Sequence, residues 1–225
     1  MSEAPYHADV AAGPPGGHAV WTEASDGVRV RLALWPEGRR GTVVVYPGRT
    51  EYVEKYSAIA ADLHARGLAS AAIDWRGQGL TQRPRANRMA GHVGDFDDYQ
   101  RDADAMLGVL RARGFPEPFH LLAHSMGGLI GLRSAMRGLP FRRLAFSAPM
   151  WGLPLAPQMR VFAWTLSHLG HALGFGERGT PASGKAADPA GAAFEGNLLT
   201  SDARTFAWMQ AQVAAHPELE LGGPS

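Results

Sequence analysis

Residues 121–132, LLAHSMGGLIGL, constrain the fold of this chain more than any other stretch. A run of buried-strand character enters Ser125, and a glycine pair leads directly into a helix-like segment with no loop between them. A strand that becomes a helix within one residue must bend sharply, and the positions two away from the bend must be small. Ala123 and Gly127 meet that demand, with His124 and Met126 flanking the serine. Such a turn pushes the Ser125 hydroxyl out at the carboxyl edge of a sheet. The amides that open the following helix lie where they can stabilise negative charge.

The rest of the chain supplies the sheet and the helices that this junction needs. Short β-type runs at 18–23 and 28–35 are expected to pair. TVVVY, 42–46, is continuously apolar between Gly41 and Pro47, as in a strand buried on both faces. Val53, Tyr56, Ile59, Ala60 and Leu63 then recur at helical spacing until Gly67. Residues 68–74 form a further buried run, and Phe96, Tyr99, Ala103, Met106 and Leu110 make a second helical stripe that ends at Gly114. Strands at 119–124 and 143–148 enclose the helix-like segment 127–137. The alternation predicts an α/β fold with a mostly parallel sheet and helices on both faces. Residues 1–17 read as a loose N-terminal arm, 18–150 as the core and 151–225 as a cap-like region, apolar and broken by Pro149, Pro154 and Pro157 at its start.

Several function classes are excluded. With 22 basic and 21 acidic residues the formal net charge is +1, and Lys55 and Lys185 are the only lysines, so nucleic acid is not an expected partner. The absence of cysteine rules out disulfides, thiol nucleophiles and thiolate metal sites. The first 20 residues carry no basic start and no apolar run of signal length, and no stretch reaches the ~18 apolar residues of a membrane span, so a cytoplasmic location is expected. GTPASGKA, 179–186, lacks the hydroxyl that would complete a phosphate loop, and Gln82 stands where a dinucleotide fingerprint begun by Gly77 and Gly79 needs glycine. His168 and His171 lie three apart without a third ligand, so packing or pocket lining is expected of them and not metal.

Three blocks resemble the α/β-hydrolase family in its lysophospholipase and monoacylglycerol lipase branch, often grouped with the S33 serine peptidase domain. They are YPGRTEYVEKY (46–56), DWRGQGLT (74–81) with GHVGDFDDY (91–99), and AHSMGG (123–128), with NLLTSDARTFAW (197–208) adding a less specific match. Ala123 replaces the first glycine of the elbow, and Pro47 stands where many relatives have histidine. The resemblance implies an α/β-hydrolase fold with an apolar cap after the sixth strand. It also implies cleavage of lipid-like carboxylic esters, lysophospholipid or monoacylglycerol, through an acyl-enzyme on Ser125. Backbone amides of Arg49 and Met126 would hold the oxyanion, Gly48, Ala123, His124 and Gly127 would support the loop and elbow, and no cofactor or metal is implied.

The family's order is serine, acid, histidine. After Ser125 come His168, His171 and His216, and no acid precedes the first two. Asp202 with His216 is the one order-compatible pair, yet neither follows a buried strand. The chain is therefore expected to lack the family's last strands with its acid and base. An exposed sheet edge would favour self-association, and peripheral membrane contact is a further expectation. A non-catalytic pseudo-hydrolase or inactive fragment, and peptidase or other α/β-hydrolase chemistry, are the alternatives. Among the remaining candidates, Asp74 reads as a loop-shaping acid and His124 as structural. The Arg49 side chain is either solvated or a headgroup contact, and Trp151, Phe162, Trp164 and Leu169 are either core or an acyl-chain pocket.

Overall fold

The computed structural model describes residues 1–83, 91–152, 156–172, 193–197 and 200–219. Seven strands form one sheet: β1 (Ser2–Ala4), β2 (His18–Glu23), β3 (Arg29–Trp35), β4 (Thr42–Tyr46), β5 (Ala69–Asp74), β6 (Phe119–His124) and β7 (Phe141–Ser147). Their spatial order is β1-β2-β3-β5-β4-β6-β7. The pairings β1–β2, β2–β3 and β3–β5 are antiparallel, whereas β5–β4, β4–β6 and β6–β7 are parallel. The parallel half is the part joined by helical crossovers, because parallel neighbours cannot be linked by a tight turn.

Alternation along the central strands builds two cores. Val44, Tyr46, Ala71, Ile73, Leu121 and Ala123 face helices α2 (Asp98–Ala112) and α3 (Met126–Met136). Val43, Val45, Ala72 and Trp35 point to the opposite face, where Val53, Tyr56 and Ala60 of the 3-10 turn Val53–Tyr56 and of α1 (Ser57–His64) cover them. Every residue of β4 and of β5 is buried, as their continuous apolar runs predict. The β4–β6 register sets Tyr46 opposite Ala123, so the loop leaving β4 emerges beside the turn that leaves β6.

Two regions depart from the expected picture. Residues 2–4 of the arm, read as loose, add β1 to the sheet by pairing with residues 19–21 of β2. The chain gains backbone hydrogen bonds there that its Ala-, Gly- and Pro-rich composition does not announce. Beyond β7 lie α4 (Pro157–Ala172) and α5 (Ala203–Ala215). Trp151, Phe162, Trp164 and Leu169 are 53–64% exposed, so this group is not core. Along the edge strand β7, Leu144 is 41% exposed. The GTPASGKA segment lies outside the described residues, and among those described no helix is long and apolar enough to cross a membrane.

Candidate active site

Ser125 sits between the end of β6 and the first residue of α3 with φ 50° and ψ −118°, a conformation that residues with a Cβ rarely adopt. Three backbone hydrogen bonds hold it there. Its amide donates to the Ser147 carbonyl at 3.1 Å, and its own carbonyl accepts from the Gly128 and Met150 amides at 2.9 and 3.0 Å. The small residues are needed for close approach. A Cβ on Gly127 would run into the Tyr46 and Pro47 carbonyl oxygens, and one on Gly131 would lie 2.8 Å from Leu121 Cδ2. The elbow is thus pressed against the end of β4, and a Cβ on Gly48 would stand 3.1 Å from Ser125 Cβ.

Ser125 and His124 line a cavity of about 190 Å³ together with Gly48, Arg49 and the loop that follows. Its other wall is apolar, built by Phe206, Met209 and Val213 of α5 and by Leu219. Met126 opens α3, so its amide has no intrahelical acceptor. Neither the Met126 nor the Arg49 amide has a hydrogen-bond partner among the described residues. The Arg49 side chain is half-buried, with Nη2 donating to the Gly91 carbonyl at 3.0 Å. That contact holds the 46–56 block to the 91–99 block.

The loop after β4 is shaped by Glu51, a residue that the sequence patterns leave unmarked. Its buried carboxylate accepts the Gly48 amide at 2.6 Å, the Lys55 ammonium at 2.6 Å and the Tyr56 hydroxyl. Burial pushes this carboxyl up, but Lys55, Tyr56 and the Gly48 amide outweigh burial and hold it below the usual range. Its stabilising contribution is therefore full above the ordinary glutamate pKa and is lost as the pH falls through the lowered value. Urea unfolding should show Glu51→Gln less stable than wild type at neutral pH, with the two converging in acid. A gap that stays constant across the range would show that the carboxylate charge is not what shapes the loop.

Behind this loop, Arg31 is fully buried between two carboxylates. It donates to both oxygens of Glu54 at 2.9 and 2.8 Å and through Nε to Asp74 at 2.7 Å. Asp74 also accepts the Val53 and Leu80 amides, both at 2.8 Å. Gly79 has φ 49° and its missing Cβ leaves room for the Asp74 carboxylate. Asp74 is thus the loop-shaping acid of the DWRGQGLT block, tied to a buried arginine that no sequence pattern marks.

The described histidine side chains are placed elsewhere than a triad would need, and that of His171 lies outside the described residues. His124 Nδ1 lies 3.1 Å from the Ser147 carbonyl. Asp202 caps α5, accepting the Arg204 amide and the Thr205 hydroxyl at 2.9 Å each. His216 pairs instead with Asp9 at 2.7 Å and does not line the Ser125 cavity. The order-compatible pair Asp202 and His216 is therefore not formed, because capping and the N-terminal arm compete for its members. His168 Nδ1 sits 2.8 Å from the Trp164 carbonyl of its own helix. Among the described residues no side chain is hydrogen-bonded to the Ser125 hydroxyl.

The family model described as serine aminopeptidase, S33, matches residues 37–223. Lysophospholipase L2 of Escherichia coli is 32% identical over 193 residues, covering 81% of this chain and 53% of that protein. The probable lysophospholipase L2 of Haemophilus influenzae is 31% identical over 198 residues, covering 87% and 61% respectively. The chain thus spans between about half and three-fifths of the length of these relatives. Among solved structures, a soluble variant of monoglyceride lipase from Saccharomyces cerevisiae aligns with a TM-score of 0.54 at 24% identity, over 75% of this chain and 56% of the other. A carboxyl esterase from Bacillus coagulans aligns at 0.57 and 19%, over 70% and 52%.

Proposed function

Because the chain belongs to the serine aminopeptidase S33 family and has the α/β-hydrolase fold, we propose that it is a serine hydrolase of lipid-like carboxylic esters. The observation that carries this reading is Ser125 on a strained strand-to-helix turn, lining one cavity with Arg49 and an apolar wall from α5. In the reaction, the Ser125 oxygen adds to the acyl carbonyl, its proton is passed to the leaving-group oxygen, and the amides of Arg49 and Met126 hold the oxyanion. Collapse expels the alcohol and leaves the acyl-enzyme, which water then hydrolyses. The apolar wall of Phe206, Met209, Val213 and Leu219 suits an acyl chain, and the two bacterial relatives are lysophospholipases by name.

A second reading is favoured by the placement of the histidines. With His124 facing Ser147 and His216 paired to Asp9, the described residues supply Ser125 with no base, as in a pseudo-hydrolase that binds its ester without turning it over. Intact mass after exposure to a fluorophosphonate separates the two. Wild-type protein is expected to gain one adduct and Ser125→Ala none. Folded wild-type protein that stays unlabelled would overturn the catalytic reading. Faster turnover of aminoacyl amides than of monoacyl esters would overturn the substrate class.

A further inference from the structure

Away from Ser125, the N-terminal arm and the 3-10 turn Pro217–Leu219 bring together a group of side chains that the proposed hydrolysis does not use. His7 Nε2 lies 3.2 Å from Glu218 Oε1, and His216 Nδ1 lies 3.3 Å from the same oxygen. One donor atom from each of these three residues falls within 4.8 Å of the others. On its far side, His216 Nε2 is 2.7 Å from an Asp9 carboxylate oxygen. We propose that His7, His216 and Glu218 form a binding site for a Zn²⁺-class divalent metal ion, with Asp9 orienting His216 from behind.

The His7 and His216 rings are stacked with centroids 3.8 Å apart and must tilt open to aim both lone pairs at one ion, and three considerations support a metal there. Tetrahedral Zn²⁺ with ligand bonds of about 2.0–2.2 Å holds its donors roughly 3.3–3.5 Å apart, close to the two spacings found here. A neutral imidazole whose Nε2–H is held by a carboxylate presents a lone pair at Nδ1, and that carboxylate–imidazole arrangement is the usual support for a metal-bound histidine. Two imidazoles and one carboxylate form a borderline donor set that suits Zn²⁺ or Co²⁺ and not Mg²⁺.

The three side chains are 16–44% exposed, His7 Nε2 itself is buried without a hydrogen-bond partner, and the backbones of His7 and His216 are already held. The His7 amide donates to Glu54 Oε1 at 3.2 Å, the Leu219 amide to the His216 carbonyl at 2.9 Å, and Gln212 Nε2 to the Val10 carbonyl at 2.7 Å. A bound ion would clasp the arm to the end of α5. Because α5 and Leu219 wall the Ser125 cavity, metal occupancy would stiffen that wall without entering the chemistry at the serine.

Titration of the full, tag-free chain with Co²⁺, followed by its visible absorption, and then displacement by Zn²⁺ tests the site. One equivalent of Co²⁺ with a tetrahedral-type spectrum is expected, displaced by Zn²⁺ and not by Mg²⁺. His7→Ala, His216→Ala and Glu218→Gln should each weaken Zn²⁺ binding at least about 10-fold. Asp9→Asn should weaken it roughly 10-fold or more, the range found for outer partners of metal-bound histidines, and His168→Ala should leave it unchanged. Circular dichroism of the near-isosteric Glu218→Gln variant keeps a loss of binding distinct from a loss of fold. Failure of the folded wild-type chain to take up Co²⁺, or equal Zn²⁺ affinity in wild type, His216→Ala and Glu218→Gln, would overturn the proposal and leave an ion-pair cluster.

Discussion

Arg31→Met is expected to destabilise the protein by about 3–5 kcal/mol, the usual cost of removing one partner from a buried ion pair. The cost arises from what is left behind. Glu54 and Asp74 would remain fully enclosed with no cation between them, and each must then be protonated or drag water inward. Against a total stability of about 5–15 kcal/mol, such a loss is a large fraction of what keeps the chain folded. Urea unfolding would measure it. Adding Glu54→Leu should recover part of the loss, since exchanging buried charges for apolar groups is often neutral. Full recovery is not expected, because Asp74 still holds the Val53 and Leu80 amides. A change below about 1 kcal/mol for Arg31→Met would show that solvent reaches the cluster in solution.

Gly127→Ala should be nearly as damaging and should act on the site directly. The added methyl meets the Tyr46 and Pro47 carbonyl oxygens, which belong to the backbone and cannot rotate away as a flexible side chain would. Overpacking of this kind costs about 1–3 kcal/mol and sometimes more. For a chain of this size each kcal/mol lowers the melting temperature by roughly 2–4 °C. With the cost at the upper end of that range, a fall of about 6–12 °C is expected. The elbow can relieve the clash only by moving off β4, which separates Ser125 from Gly48 and Arg49, so fluorophosphonate labelling should slow at least about 10-fold relative to wild type. Melting within about 2 °C of wild type, with labelling unchanged, would show that the close approach is not needed.

The turn at Ser125 is legible in the residues because its demands are local: a buried strand, small residues two positions away and an immediate helix. The strands and helices of the core are legible because burial on two faces leaves a periodic trace in the chain. The arm leaves no such trace. Its pairing with β2 rests on backbone hydrogen bonds that any composition can make, so a segment rich in Ala, Gly and Pro reads as loose and yet joins the sheet.

What the amino-acid order determined alone is the elbow, the alternation of strand and helix, and the absence of cysteine. Only the tertiary structure decided the partners of the charged side chains. Arg31 meets carboxylates 23 and 43 positions away, and His216 meets Asp9 across 207 residues, although Asp202 stood nearer in the chain. Helix capping claimed Asp202 and the folded arm claimed His216. Periodicity records which face of an element is buried, whereas the partner of a polar group depends on where two distant elements come to rest against each other.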